Sequence, residues 1–557
     1  MQEDEKRPID QNISALIGVE NEFYIEEKNA DTYKVSEISK VKPLSSCGIE
    51  GSRTKGVIEN ALAEKNTGAS KDFKEGLKTT GLFGGVQIFK ILISIINSKF
   101  VAVLLGPAGM GIMGLLSSTT GIISNVSNMG LGTSSVRDVS GAFAERDKYK
   151  FNRIVSVFRR LVWLTGILGT AICFFGSPLW SKITFGNYDY VWAFAVLAIT
   201  ILLAQISAGQ GVVLQSTRSF NYLAKSGVIG SALGLFTGIP LYFWLGTKGI
   251  VPAMIVSSIT TLCLTYYYSR KIRIEKMSLT WKETFSAGSI MLKLGFFLAL
   301  QGFLSTFCAY LVRIYISNTS SVADVGLYNS GFNIVNTYVG LVFTAMGTDY
   351  FPRLCTYSHN YGKFNNAVNQ QIELSVLLLS PMIAAFLILG ELAILILYST
   401  KFLGVSLMIT LGIFGVFFKA PGWCLGFTFI AKGDSRSFFW NELVSETYSL
   451  IFNILFYRLW GLNGLGLSFV VNYIIYLIQV NVVCRKRYDF KLDKNILKSF
   501  VPQVFISLVI MLIVIFLPKV YRYTIGVVLV ALSCYLAYRE LSKRINVIGY
   551  IKNKIRK

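Results

Sequence analysis

The sequence lacks most of the residues from which enzymes build metal and catalytic sites. It has one histidine, His359, and eight cysteines with no CxxC motif and no paired spacing. Most of these cysteines lie in apolar runs, where thiols behave as small hydrophobic groups. No nucleophile–base arrangement, glycine-rich phosphate motif or cluster with metal-ligand spacing is present in the sequence. The sequence therefore predicts a protein that is not an enzyme and that uses no metal and no cofactor.

Polar residues are also missing from turns, where a protein in water usually has Asp, Asn or Ser. Residues 104–114, LLGPAGMGIMG, join two apolar runs through Gly106–Gly109 without a charged or hydroxyl side chain. The chain has 557 residues, 53% of them hydrophobic, and a mean hydropathy of +0.52. Its apolar runs recur at roughly 20 residues, the length with which a helix crosses about 30 Å of hydrocarbon. The sequence therefore predicts an all-α polytopic membrane protein.

Fourteen transmembrane spans are predicted after a polar N-terminal segment. They are residues 82–104, 109–133, 154–176, 190–213, 222–245, 249–269, 288–316, 325–347, 372–398, 403–431, 438–459, 463–484, 498–517 and 521–538. With the N-terminus inside, the inside loops contain about 28 lysines and arginines and the outside loops about six, a bias that sets orientation. Both termini are therefore predicted to be cytoplasmic, and the Gly106 turn is predicted to face outward.

Acidic residues are concentrated at the N-terminus. Residues 1–79 contain 15 of the 31 acidic and 12 of the 54 basic residues, which leaves a net charge of +26 on the rest of the chain. In a soluble protein this excess would indicate a nucleic acid partner, but here the cations lie mainly in loops between apolar runs. We therefore predict no nucleic acid partner. The polar composition of residues 1–79 predicts a disordered cytoplasmic extension, and its start, MQEDEKRPID, is not that of a signal peptide.

An internal repeat relates the two halves of the chain. Gln87 and Lys99 have the same spacing in the first span as Gln301 and Arg313 have in the seventh. Three further pairs of identical residues differ in number by 215: Gly111 and Gly326, Gly132 and Gly347, and Thr133 and Thr348. A repeat of six spans returns the chain to the same side, so the predicted pseudo-two-fold axis lies along the membrane normal and two lobes face a cavity.

The predicted organisation has four parts. Residues 1–79 form the extension, 80–285 an N-lobe with six spans, 286–487 a C-lobe with six spans, and 488–557 a C-terminal hairpin of two spans with a basic cytoplasmic tail.

Several segments resemble those of a known family. The stretches LLGPAGMGIMG, NMGLGTSSVRDVS, LYSTKFLGVSLM, FTFIAKGDSRSFFWNELVS and GLNGLGLSFVVNYIIYL are similar to Wzx-type polysaccharide flippases, and the resemblance runs from about residue 81 to residue 487. It implies the MATE-like fold of the MOP exporter superfamily and export of an undecaprenyl-diphosphate-linked oligosaccharide, such as an O-antigen unit, across a bacterial inner membrane. It also implies membrane lipids, a polymerase and other polysaccharide-assembly proteins as partners. Family members often have twelve spans, so residues 1–79 and the last hairpin are not explained.

Polar residues inside the predicted spans are the candidate substrate ligands. A charge at the bilayer centre costs about 2.5–3.5 kcal/mol on insertion scales, so each one invites a functional reason. The candidates for binding the diphosphate and the sugars are Lys90, Lys99, Arg313, Lys419, Gln87, Gln301 and Lys293. An alternative for Lys99 and Arg313 is snorkelling to the outer headgroups. The alternative for Lys293 is an anchor at the inner interface.

Lys419 is the strongest single candidate, because it lies in the middle of its span beside Pro421 and Gly422. Glu446 lies within about one helical turn of the same depth, counted from the following turn. A structural ion pair between Lys419 and Glu446 is therefore the alternative to a phosphate ligand. The candidates for ion coupling or pairing are Glu446, Glu442 and Asp349, the last of which is otherwise a solvated loop residue.

These observations favour a flippase that works by alternating access. A cation-coupled drug exporter of the same superfamily is the alternative, and it would need carboxylates in its cavity. A membrane glycosyltransferase or polymerase would need large outer loops, whereas the predicted outer loops are short.

Overall fold

The structure, a computed structural model, describes residues 92–542 apart from positions 146, 276 and 359, together with Phe89. The predicted extension at 1–79 lies outside the described residues. The helices are α1 Leu92–Asn128, α2 Leu131–Ala144, α3 Lys148–Phe175, α4 Ser177–Phe185, α5 Val191–Ser216, α6 Phe220–Leu245, α7 Ile250–Ser269, α8 Trp281–Thr319, α9 Val322–Asn333, α10 Val339–Thr356, α11 Tyr361–Leu397, α12 Ser406–Ala431, α13 Ser435–Tyr488, α14 Lys494–Phe516 and α15 Lys519–Ser542. A π-helical turn, Ile334–Tyr338, joins α9 to α10.

Nine helical segments of the described chain are long and apolar enough to cross a membrane. Three of them contain a glycine in the left-handed region: Gly106 in α1, Gly246 between α6 and α7, and Gly461 in α13, with φ of 67°, 56° and 57°. Such a residue breaks the helical ladder, so each of these segments has two arms. The predicted all-α, multi-pass fold is confirmed, and the GPAG turn begins at the first break. The number of crossings stays a prediction.

Two short helices and three helix starts differ from the predicted spans. α2 and α4 lie largely between predicted spans. α3 begins at Lys148 rather than at residue 154, α8 at Trp281 rather than at residue 288, and α11 at Tyr361 rather than at residue 372. The early start of α8 comes from a capping box, in which the Glu283 N–H donates to Thr280 Oγ1 (3.3 Å) and the Thr280 N–H donates to Glu283 Oε2 (2.7 Å). This motif satisfies two N–H groups that an uncapped helix leaves free.

The backbone keeps the numbering offset that relates Gly111 to Gly326. Helices α5 and α12 begin at 191 and 406 and end at 216 and 431, so both of their ends are related by this offset. Left-handed residues recur at the same offset, at Arg218 and Gly433 and again at Gly246 and Gly461. The sequence repeat is therefore a repeat of backbone conformation.

The two halves meet where small residues bring their backbones together. Three pairs of residues are in contact there: Gly111 and Val322, Pro107 and Gly326, and Gly114 and Asn329. A Cβ added at Gly111 would overlap the carbonyl oxygen of Val322, and one added at Gly326 would overlap that of Pro107. The offset of 215 turns the contact of Gly111 with Val322 into the contact of Gly326 with Pro107, and it relates Gly114 directly to Asn329. Such an exchange of equivalent residues is what a two-fold axis requires. Gly111 N also lies 2.8 Å from a Cβ added at Gly326, so two contacts join residues that the offset relates, Gly111 with Gly326 and Gly114 with Asn329. These two contacts rise together in number, so the second arm of α1 runs parallel to α9 and the axis runs along both.

The C-terminal hairpin packs on α11 of the C-lobe. Within the hairpin, Ser533 Oγ of α15 donates to Gln503 Oε1 of α14 at 2.6 Å. Between the hairpin and α11, Arg522 Nη1 lies 2.7 Å from Glu391 Oε1, and Lys519 Nζ lies 3.3 Å from Glu391 Oε2. The Arg522 side chain is only 11% exposed, so this ion pair is largely withdrawn from water.

We expect Glu391→Gln to loosen this hairpin. Removing one partner of a fully buried ion pair costs about 3–5 kcal/mol, and we expect roughly half of that here because Glu391 is 20% exposed. The measurement is protease sensitivity of the hairpin in detergent. The double variant Glu391→Gln with Arg522→Gln should recover protection, and a double variant as sensitive as the single one would contradict the buried-charge explanation.

Candidate functional site

A cavity of about 230 Å³ lies inside the C-lobe, between α12 and the two arms of α13. Its polar and charged lining residues are Lys419, Glu442, Ser445, Glu446, Ser449, Asn453, Asn472, Tyr473 and Tyr476. One ammonium and two carboxylates thus face the same space inside a membrane-spanning bundle. Three of the residues predicted from the sequence meet here.

Glycines of α12 bring the second arm of α13 close to Lys419. Gly415, Lys419 and Gly422 are spaced by four and three residues and therefore share one helical face. A Cβ added at Gly415 would lie 2.7 Å from the Phe469 ring, and one added at Gly422 would lie 2.9 Å from the Tyr476 ring. Small residues of this kind allow helices in a membrane to approach closely. The close approach places aromatic rings around the lysine.

Lys419 is held by an amide and by aromatic faces. Its Nζ donates to Asn336 Oδ1 at 2.9 Å, and Asn336 belongs to the π-helical turn Ile334–Tyr338. The ammonium also lies 5.2 Å from the ring centroid of Tyr473 and 5.7 Å from that of Phe469. π-Helical turns often occur at functional sites, and cation–π contacts stabilise a charge that has lost water. The lysine is half-buried, and no carboxylate among the described residues forms an ion pair with it.

The two glutamates lie on the cavity face of the first arm of α13. Glu442, Glu446, Ser449 and Asn453 are spaced by four, three and four residues, which places them on one helical face. Tyr476 Oη donates to Glu442 Oε1 at 2.9 Å. Within the described part of the chain, no ion pair of 4.0 Å or less joins Lys419 to either carboxylate. Lys419 and Glu446 therefore share a cavity, as their predicted depths imply, but Lys419 is bonded to an amide rather than to Glu446.

A cluster of buried amides and hydroxyls forms the rest of the cavity wall. Asn472 Nδ2 donates to Ser449 Oγ at 3.1 Å and to Ser468 Oγ at 3.2 Å, and Ser468 Oγ donates to Asn453 Oδ1 at 2.7 Å. Asn472 is 8% exposed, and its Oδ1 has no hydrogen-bond partner among the described residues. A buried acceptor without a partner indicates a bound water, ion or ligand group. These amides and hydroxyls were not predicted from the sequence, although the spacing of Glu442, Glu446, Ser449 and Asn453 indicates a polar face on this helix.

Lys99 caps a helix of the other lobe. Its Nζ donates to the carbonyl oxygens of Leu395 and Tyr398, both at 2.5 Å, at the C-terminal end of α11. A cation at this position satisfies carbonyls that have no partner in the helix and interacts favourably with the negative end of its dipole. In this structure Lys99 therefore joins the first arm of α1 to the C-lobe.

We expect Lys99→Met to lower thermal stability in detergent, because a cation at a helix C-terminus contributes about 0.3–1 kcal/mol and up to about 2 kcal/mol in partly buried sites. Lys99→Arg should preserve most of the stability. The measurement is the melting temperature together with glycan export. If Lys99→Met loses export while its melting temperature is unchanged, Lys99 binds substrate rather than stabilising the end of α11.

Arg313 is bound within its own lobe. Arg313 Nε donates to Asn329 Oδ1 at 2.8 Å and its Nη1 donates to the Ala309 carbonyl at 3.1 Å, while the guanidinium lies 5.9 Å from the Tyr328 ring centroid. Asn329 also contacts Gly114 where the two halves meet. Arg313 thus lies beside the contact between the lobes rather than in the C-lobe cavity.

The remaining predicted site residues are only partly described. Lys293 and Gln301 lie on α8 and Asp349 lies on α10, but their side chains are outside the described structure. Gln87, Lys90 and His359 lie outside the described residues altogether. Their proposed roles stay predictions.

Comparisons with known proteins bear on the fold and the family of this chain. Among solved structures, the lipid II flippase MurJ in an inward closed conformation superposes with a TM-score of 0.64, at 13% identity, over 83% of this chain and 99% of that chain. An inward-facing multidrug resistance MATE transporter of the MOP superfamily gives a TM-score of 0.60, at 14% identity, over 72% and 94%. A MOP superfamily transporter from Pyrococcus furiosus gives 0.51, at 17% identity, over 73% and 93%.

These similarities confirm the MOP-like fold expected from the sequence. No curated protein matches the sequence significantly. The family model described as "Polysaccharide biosynthesis protein" matches residues 100–407, which is more than half of the chain. The chain therefore belongs to the polysaccharide biosynthesis protein family.

Proposed function

We propose that this protein is a flippase that moves an undecaprenyl-diphosphate-linked oligosaccharide, an O-antigen unit or a related surface glycan, from the cytoplasmic to the periplasmic leaflet. The observation that carries the proposal is the half-buried Lys419, whose ammonium faces an intramembrane cavity without an ion-pair partner among the described residues. A fixed cation in a medium of low dielectric attracts an anionic diphosphate more strongly than it would in water. Membership in the polysaccharide biosynthesis family supports a lipid-linked glycan as the substrate.

Transport follows an alternating-access cycle in this proposal. The two lobes rock against each other, so that the headgroup enters from the cytoplasm and leaves to the periplasm while the lipid tail stays in the bilayer. With both carboxylates ionised, Lys419, Glu442 and Glu446 give the cavity a net charge of −1. When a proton or a cation neutralises one of the glutamates, the net charge of the cavity rises to zero. These residues are thus proposed to couple substrate release to an ion gradient.

A cation-coupled drug exporter is the second candidate, and the two carboxylates in the cavity favour it. Such an exporter binds a cationic drug and its coupling ion at buried carboxylates, so Glu442 and Glu446 fit that chemistry as well. The family match supports the glycan rather than the drug.

The two candidates differ in what accumulates in cells that lack the gene. A flippase deletion should leave lipid-linked oligosaccharide in the cytoplasmic leaflet and remove the corresponding surface glycan, both measurable by chromatography of extracted lipids and by surface labelling. A complementing plasmid should restore both. Unchanged glycan together with higher sensitivity to cationic drugs would refute the flippase proposal and support the exporter.

A further inference from the structure

The N-lobe contains cavities at the positions that correspond to the charged C-lobe cavity. The repeat offset pairs residues that line a cavity in each lobe: Lys419 with Ala204, Trp423 with Ala208, Glu442 with Gly227, Glu446 with Ser231, Asn472 with Ser257, Tyr473 with Ser258, and Tyr476 with Thr261. Every charged or aromatic residue of this set has a small or hydroxyl-bearing counterpart. The same scaffold therefore encloses two cavities of different chemistry.

The N-lobe space is large enough for a ligand. Two adjoining cavities, of about 670 Å³ and about 420 Å³, share Ser231, Ser257 and Ser258 in their walls. The second also reaches Ser94 and Asn97 on the first arm of α1. Small-molecule sites in proteins typically measure about 300–1,000 Å³. The C-lobe cavity is smaller because large side chains fill the equivalent volume.

Hydroxyl oxygens give the N-lobe cavity its chemistry. Ser231 Oγ donates to the Gly227 carbonyl and Thr261 Oγ1 to the Ser257 carbonyl, each at 2.8 Å, so these protons are committed to their own helices. The oxygen lone pairs remain free to accept hydrogen bonds. Ser257 Oγ has no hydrogen-bond partner among the described residues, although it lies where the two cavities join.

No charged residue belongs to the described lining of either N-lobe cavity. A wall of acceptors without cations does not stabilise a diphosphate, which itself offers acceptor oxygens. It suits an uncharged ligand that carries several hydrogen-bond donors. Hydroxyl and amide groups of a sugar are donors of this kind.

We propose that the N-lobe cavity is a sugar subsite, which holds part of the glycan while the C-lobe lysine holds the diphosphate. This inference rests on the proposed flippase function. The two lobes would then bind different groups of the same substrate. The anionic diphosphate would contact the cationic C-lobe cavity, and the uncharged sugars would contact the hydroxyl-lined N-lobe cavity.

The test uses two neighbouring threonines on α7. Thr261 lines the cavity, whereas Thr260 does not, and each hydroxyl donates to a carbonyl of its own helix at 2.8 Å. Thr261→Val and the matched control Thr260→Val thus remove the same hydrogen bond, and only Thr261→Val also removes an acceptor from the cavity. Ser231→Ala provides a second cavity variant on another helix.

Binding to the purified full-length protein in lipid nanodiscs is measured with two probes. One is bare undecaprenyl diphosphate, and the other is the lipid-linked oligosaccharide extracted from the producing cells. Combining Thr261→Val with Ser231→Ala should weaken binding of the oligosaccharide probe about three- to tenfold, the range expected for lost neutral hydrogen bonds. Binding of the bare diphosphate should stay the same, and Thr260→Val should change neither.

Each contrary outcome has a distinct meaning. If the cavity variant weakens both probes equally, or weakens neither, the sugar subsite is overturned and the flippase proposal stands. If the wild-type protein binds neither probe, the flippase proposal fails, and the subsite fails with it.

Discussion

Lys419→Ala is expected to abolish surface glycan while the protein still reaches the membrane. Lys419 provides the only charge on α12 that faces the described C-lobe cavity, and its ammonium is oriented by Asn336 and the Tyr473 ring. Loss of a charge-assisted hydrogen bond costs about 1.5–3 kcal/mol, which weakens binding of the anionic substrate by at least about tenfold. Lys419→Arg keeps the charge and should keep part of the activity. The measurement is surface glycan and membrane abundance in the same cells.

A second set of variants separates substrate binding from structural pairing. If Lys419 only neutralises Glu446, the single variant should lose membrane abundance, because a charge is left buried. Lys419→Ala with Glu446→Ala should then recover both abundance and export. Lys432→Ala is the matched control, since this lysine follows the last residue of α12 and contacts the Ser358 carbonyl outside the cavity. Full export by the double variant would remove Lys419 from the substrate site.

Gly111→Ala is expected to disturb the contact between the two halves. The new Cβ would overlap the Val322 carbonyl oxygen, which belongs to the backbone and cannot move by changing a rotamer. Overpacking of this kind costs about 1–3 kcal/mol or more. We expect a lower melting temperature in detergent and lower glycan export.

The chain supplies a control for this substitution in the same helix. Gly121 has no neighbouring atom within 4 Å of the position that its Cβ would occupy, so Gly121→Ala should be neutral or slightly stabilising. By the repeat, Gly326→Ala should act like Gly111→Ala. Equal losses of melting temperature and export for Gly111→Ala and Gly121→Ala would show that the close contact at Gly111 does not stabilise the protein.

The fold was largely readable from the sequence because membrane helices leave strong local signals. Apolar run length and the polar-free turn at Gly106 predicted the helices and the first break, and matches such as Gly111 with Gly326 gave the correct offset between the halves. The start of α8 was missed although its capping box, from Thr280 to Glu283, is a local motif.

The candidate site was readable only in part, since its chemistry depends on contacts distant in the chain. Helical depth correctly brought Lys419 and Glu446 to one cavity, but the partner of Lys419 is Asn336, 83 residues away. Lys99 was predicted to be a substrate ligand because the sequence around it does not indicate its partner. That partner, the carbonyl of Leu395 near the end of α11, is 296 residues further along the chain. No local pattern carries such information.

The paired cavities have a consequence for how such a protein can diversify. Since α5 and α12 keep the same length and register, the scaffold tolerates very different side chains at equivalent positions, from Ala204 to Lys419. An ancestral duplication of one six-helix unit would leave each copy free to drift. In the assignment proposed above, the charged cavity binds the diphosphate, which does not vary with the glycan, whereas the hydroxyl-lined cavity contacts the glycan and can change with it. Related chains that export different polymers should therefore vary most around Ser231 and Thr261.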